Sequence, residues 1–174
     1  MNNEKHILIL GATGFIGSVF FKELAKLEGY HFHLLVRGSV NRISNSPNTT
    51  IYEGELEKFR WQELKHAPDF VFHFARINSQ RRSWGRKNSA RLGRKANIRL
   101  INYLKNQKKE IKLFYLSGSL MYGASSSPIT EEKILAPISF AKQYVRAEEP
   151  FMQHQHLNSQ CQNHFHLRLC CILR

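Results

Sequence analysis

Long hydrophobic runs are missing from this 174-residue sequence. The apolar stretches at 7–10 and 70–72 fall far short of the ~18 residues that a membrane-spanning helix needs. A secretory leader is not expected either, because the early apolar run is short and leads straight into a glycine turn. Cysteine is scarce: only Cys161, Cys170 and Cys171 occur, the last two adjacent and so unsuited to pairing with each other. Three thiols without a framework fit a reducing compartment, and the expected location is the cytoplasm. His154, His156, His164 and His166 lie nearby, but no two cysteines stand at C-x-x-C spacing, so no metal site is expected.

Acid is absent where it would matter. No Asp or Glu occurs between Glu28 and Glu53, and residues 76–112 hold 13 Lys/Arg against the single acid Glu110. The chain carries a formal net charge of +13, so this one segment makes the protein basic while the remainder is close to neutral. Its densest part, Arg81, Arg82, Arg86 and Lys87 around Trp84, has three readings. It is a solvated helix face with its adjoining loop, a contact for an anionic small molecule such as a sugar nucleotide, or a surface for nucleic acid or an anionic membrane. The last is disfavoured, since no nucleic-acid fold or signature accompanies the charge.

What is present is a core. Hydrophobic residues make up 42% of the chain, with 12 Phe and 6 Tyr, enough for one globular domain spanning 1–174. Strand-like apolar runs at 6–10, 32–36, 50–52, 69–74, 111–116 and 165–173 alternate with helical patterns at 15–28, 89–107 and from 140 onward. That alternation predicts an α/β fold, a doubly wound parallel sheet of about six strands, the Rossmann fold. The helices around 89–107 and 140–158 are also candidate surfaces for a homo-oligomer.

Gly11-Ala12-Thr13-Gly14-Phe15-Ile16-Gly17 follows the first strand and opens the first helix. Glycine serves here because the backbone must turn and approach a pyrophosphate closely, and the helix start offers N–H donors to the phosphates. Nucleotide binding is therefore expected at this loop. An NAD site wants a carboxylate about 20 residues on, for the ribose hydroxyls. Arg37 stands there instead, with Arg42 close by, and a guanidinium suits a 2′-phosphate. The expected cofactor is NADP in preference to NAD.

In its ordered motifs the chain resembles the extended short-chain dehydrogenase/reductase superfamily, of the NAD(P)-dependent epimerase/dehydratase type. The Gly-x-x-Gly-x-x-Gly spacing is that superfamily's variant. Glu55-Leu56 is similar to its acidic-Leu pair at the adenine, and Asp69 through Phe74 and Ala75 to the strand beneath the cofactor. Asn97 is similar to its helix asparagine, and Leu116-Ser117-Gly118-Ser119 through Tyr122-Gly123 to its Ser-Ser-x-x-Val-Tyr-Gly segment. Glu131, Pro137, Ser139 and Glu148 fit the stretch leading through the last helix. The resemblance implies an NADP-binding domain related to sugar-nucleotide epimerases, dehydratases and reductases.

Two departures accompany these matches. The family's Tyr-x-x-x-Lys proton relay falls on Phe140 and Tyr144, and its serine falls on Gly118, with Ser119 displaced by one. Phenylalanine has no proton to give and tyrosine no cation at neutral pH. Ser119 and Tyr144 stay as candidate catalytic residues, while turnover is in question; the alternative is a non-catalytic dinucleotide sensor of the same superfamily. The second departure is length, since the sequence stops at Arg174 where the family continues into a substrate-binding region. A fragment, a truncated product and one half of a two-chain assembly all stay open.

Overall fold

The computed structural model describes residues 4–38, 43, 46–77, 85–130, 132–138 and 141–157. Its centre is β1 (Lys5–Leu10), whose sequence is a run of branched aliphatics after a charged start. Such a run suits a strand covered on both faces, and Leu8, Ile9 and Leu10 are fully buried. On either side lie β2 (Tyr30–Val36) and β4 (Phe70–His73), with β3 (Thr49–Glu53) and β5 (Lys112–Tyr115) outermost. All four pairings are parallel, in the order β3-β2-β1-β4-β5. The chain winds outward from β1 through β2 to β3, then crosses back to β4 and β5. This is the doubly wound α/β sheet expected from the sequence; the sixth strand expected at 165–173 lies outside the described residues.

Period-2 alternation along β1 divides its side chains between two cores. Ile7 and Ile9 face α1 (Phe15–Leu24) and pack with Phe21, Phe32, Leu34 and Val36. Leu8 and Leu10 face α2 (Gly85–Lys105) and α3 (Lys142–Leu157), in a cluster with Val71, Leu100, Leu113 and Phe151. The expected first helix ran to residue 28, yet α1 ends at Leu24. Lys26 and Leu27 donate to carbonyls three residues back, so the tail tightens into 3-10 turns before Gly29.

A further correction concerns the regular alternation of strand and helix. Between β3 and β4 the described chain forms no α-helix, only a 3-10 turn at Trp61–Glu63. Phe59, Trp61 and Leu64 fill the second core there, Phe59 meeting the Trp61 ring edge-on at 5.1 Å. Three large side chains thus do the covering that a helix would otherwise do. Arg99 of α2 clamps this segment by donating to the carbonyls of Glu57 and, at 2.7 Å, Phe59. Arg94 reaches Glu149 of α3 at 3.1 Å, and Lys109 reaches Asp69 at 3.0 Å. Part of the basic segment therefore holds elements together, while Arg91 and Lys95 are exposed. No helix among the described residues is long and apolar enough to cross a membrane.

At the amino end of the sheet four imidazoles gather. His6 stacks on His66 at 4.4 Å between ring centroids, and its Nδ1 lies 3.1 Å from His33 Nε2. His33 Nδ1 is 3.2 Å from the Tyr52 hydroxyl, and His31 Nε2 is 2.8 Å from Thr50 Oγ1. Burial, with neighbouring His31, His6, His66 and Lys65, pushes His33 down to about 3. His73, buried in β4, is pushed down to about 4, again chiefly by burial.

Both rings are neutral when folded and accept a proton near pH 6.5 when unfolded. Their contribution is thus complete above pH 6.5 and is lost as pH falls from there, to about 4 for His73 and about 3 for His33. Each should cost about 2 kcal/mol of stability at pH 5. Urea titrations at pH 7.5 and pH 5 should show that loss, and superimposable curves would contradict it.

Candidate dinucleotide-binding site

The crossover from the β1–β2–β3 half to the β4–β5 half leaves a crevice at the carboxyl ends of the strands, where open α/β sheets bind ligands. It measures about 500 Å³, within the usual range for small-molecule sites. The glycine loop forms its floor. Gly11 has φ +89°, and a Cβ there would stand 2.8 Å from the backbone N of Ala75. A Cβ on Gly17 would lie only 2.2 Å from the Gly11 carbonyl oxygen. Side chains are excluded at both positions by neighbouring backbone, which is how α1 comes to start directly against β1 and β4. Gly14 caps the helix without a side-chain bond, and no acidic residue stands in the first turn. The first amides of α1 are left without intrahelical partners and present the positive end of the helix dipole to the crevice.

Of the residues expected to hold the dinucleotide, the crevice wall brings together Gly11, Thr13, Gly14 and Phe15 from the loop, and Arg37 from the tip of β2. Leu56 joins them from the segment after β3, and Phe74 and Ala75 from the tip of β4. Ile16 and Gly17 continue the first turn of α1 behind this wall. Glu55 neighbours it with its carboxylate 2.7 Å from Lys58 Nζ. Arg42 and Phe140 lie outside the described residues, as do Glu131, Ser139, residues 81–84 and the three cysteines.

The remaining expected residues sit deeper or to one side. Asn97 and Tyr144 line a smaller pocket of about 40 Å³ beside the crevice. Both ends of the Asn97 amide are engaged: Oδ1 lies 3.0 Å from His73 Nε2, and Nδ2 donates to the Ala147 carbonyl at 2.7 Å. One side chain thereby ties β4, α2 and α3 together. Ser117 is buried and donates from Oγ to Glu148 Oε2 at 2.8 Å, joining the tip of β5 to α3. Ser119 opens the 3-10 turn Ser119–Tyr122.

Sequence reasoning missed Arg76, which lines both cavities. Its guanidinium lies 4.5 Å from the centre of the Tyr144 ring, a cation–π distance, and Nη2 donates to the Leu116 carbonyl at 3.2 Å. A Cβ on Gly118 would come within 3.2 Å of Nη2. Arg76 thus stands between Gly118 and Tyr144. In the sequence it is merely the first of a long series of cations, with no local signal to set it apart.

Three phenols stand near this point. Burial, with Glu148 adding and Arg76 opposing, pushes Tyr115 up to about 12. Tyr122 is only 2% exposed. Tyr144 presents its ring face to Arg76. The arrangement offers backbone donors and two guanidiniums to anionic oxygen.

If the Gly17–Gly11 contact fixes the start of α1, Gly17→Ala must push the helix off the strand. A loss of at least about 2 kcal/mol is expected, the range of a backbone clash that must be relieved by movement. For a chain of this size that means a fall in Tm of about 4–8 °C. An unchanged melting curve would show that the loop is looser than this packing implies.

The NAD dependent epimerase/dehydratase family matches residues 7–168. An uncharacterized UDP-glucose epimerase, YtcB of Bacillus subtilis (strain 168), is 30% identical over 148 residues, which is 76% of this chain and 46% of that protein. Among solved structures, UDP-glucuronic acid 4-epimerase from Bacillus cereus, in complex with UDP-glucuronic acid and NAD, superposes with a TM-score of 0.76 at 22% identity. It covers 94% of this chain and 55% of its own. dTDP-glucose 4,6-dehydratase from Bacillus anthracis str. Ames, in complex with NAD, gives a TM-score of 0.75 at 21% identity over 94% and 54% of the two chains. The chain spans about half the length of these relatives. With a match running through nearly all of its strands and its glycine loop in the family's place, this chain belongs to the NAD dependent epimerase/dehydratase family.

Proposed function

We propose that the chain is an NADP-binding Rossmann domain of the sugar-nucleotide epimerase/dehydratase kind, holding the dinucleotide without turning substrate over by itself. The observation that carries this reading is the crevice wall, which joins the glycine loop and the open start of α1 to Arg37. Bound NAD in the Bacillus cereus and Bacillus anthracis proteins supports a nicotinamide dinucleotide. The preference for the 2′-phosphorylated form rests on this chain's own residues. Arg37 is exposed at the tip of β2, and the residues between Glu28 and Glu53 include no carboxylate to accept from ribose hydroxyls.

In this reading the loop amides take the pyrophosphate, Leu56 and Phe74 provide apolar walls, and Arg37 meets the 2′-phosphate. A bound nicotinamide supplies hydride transfer. What the chain does not supply is the relay that such transfer needs: a proton donor beside a cation on the last helix. General acid–base groups contribute about 10²–10⁴-fold to rate, so losing the pair removes most of the turnover. UDP-glucuronic acid, bound by the Bacillus cereus relative, supports a sugar nucleotide as the ancestral substrate class. A dinucleotide sensor is the second reading, favoured by the packing of Arg76 on Tyr144, which occupies the place where catalysis would be organised.

Titration calorimetry should show NADPH binding at least tenfold tighter than NADH, with Arg37→Ala erasing the difference. Equal affinities unaffected by that substitution would remove the NADP assignment. With cofactor bound, NADPH oxidation over aldehydes, ketones and sugar nucleotides should stay at background. Ordinary enzyme rates would instead place a working acid elsewhere, with Tyr144 the first residue to mutate.

A further inference from the structure

The described residues lining the crevice and its adjoining pocket include two cations, Arg37 and Arg76. They stand on opposite sides of β1. Arg37 follows β2 and Arg76 follows β4, and these are the two neighbours of β1 in the sheet. Adjacent strands are ~4.8 Å apart, so the two tips are separated by roughly 10 Å across the glycine loop. A ligand whose phosphates sit on that loop must send one half over β2 and the other over β4. The half over β2 meets Arg37. The half over β4 meets Arg76.

Three features hold Arg76 at that spot. The Leu116 carbonyl takes one of its N–H groups, the Tyr144 ring supports its face, and Gly118 leaves the room that a side chain would fill. A guanidinium carries five donors, so the Leu116 bond leaves most of the fork for a ligand. Arg76 is also exposed, so ligand oxygen can reach it from the crevice. At the edge of the small pocket beside it, Ser89 is buried and its hydroxyl has no partner among the described residues. A buried hydroxyl without a partner is uncommon, and it adds a second polar group on this side of the crevice.

We propose that Arg76 is the cation that recognises the non-adenylate half of the bound dinucleotide, donating to oxygens of its second phosphate and adjoining ribose. This rests on the dinucleotide reading above and adds a residue and a place to it. A positive charge that comes from the tip of β4, and not from α3, explains how the second half can be held when Tyr144 occupies the helix position. It also accords with Gly118, where a Cβ would press on the guanidinium at 3.2 Å.

The test is calorimetry on the 174-residue chain as wild type, Arg76→Ala and Arg76→Lys. The probes are NADPH and NADH as whole dinucleotides, 2′-phospho-ADP-ribose as a ligand without nicotinamide, and 2′,5′-ADP and 5′-AMP as adenylate halves. Arg76→Ala should weaken the dinucleotides and 2′-phospho-ADP-ribose tenfold or more, as loss of a charged hydrogen-bonding partner does. The adenylate halves should change less than twofold, and Arg76→Lys should recover part of the loss. A purely structural role would weaken every ligand alike and lower the apo Tm; that result, or no weakening at all, overturns the proposal. If the wild-type chain binds none of the probes, the dinucleotide reading falls with it. If adenylate halves bind normally and only the selectivity is missing, the reading stands and the role of Arg76 does not.

Discussion

The contact between Gly17 and the Gly11 carbonyl is the constraint on which the rest of the site depends. Because neither residue has a side chain, α1 begins hard against the end of β1, and Gly11 in turn lies against Ala75 at the tip of β4. Three backbones meet at one point, and the crevice opens above them. Widening any of these contacts by one methyl group would move the helix start away from the place where a phosphate could reach its amides. The two cores below serve the same end, since the split of β1 side chains between α1 and the α2–α3 pair fixes the strand that carries the loop.

Around this point the polar groups bind elements to one another as much as they face solvent. Asn97 links β4 to α3, Ser117 links the tip of β5 to Glu148, and Arg99 clamps the segment before β4. Each of these bonds spans 24 to 50 positions in sequence. They stiffen the carboxyl edge of β4 and β5, where Arg76 is held between Tyr144 and Gly118. Arg76, Tyr144 and Gly118 therefore form a packed unit of their own.

Much of this architecture was legible in the sequence because it is written locally. The β1 aliphatic run, the glycine spacing and the helical stripe of Ile101 and Leu104 announce themselves within a few residues, and the five described strands fall where their apolar runs are. The missing helix before β4 was not legible, because Phe59, Trp61 and Leu64 look like an ordinary mixed segment until α2 closes over them. The imidazole stack was hidden for a similar reason: His6, His31, His33 and His66 come together only through strand register and a loop. Arg76 was hidden by its company. In a segment of 13 basic residues, charge alone gives no reason to separate a crevice residue from Arg94, which pairs with Glu149, or from exposed Arg91.

The account's central claim is that a dinucleotide sits across the glycine loop with its phosphates on the first turn of α1. Backbone amide NMR of the isotope-labelled chain tests that claim directly. On adding NADPH, the amides of Thr13 to Gly17 should shift most, with Arg37 and Ala75 moving alongside them and the amino-end residues His6 and His31 staying still. Saturating NADPH that leaves the loop amides in place, or shifts confined to another face of the sheet, would contradict it.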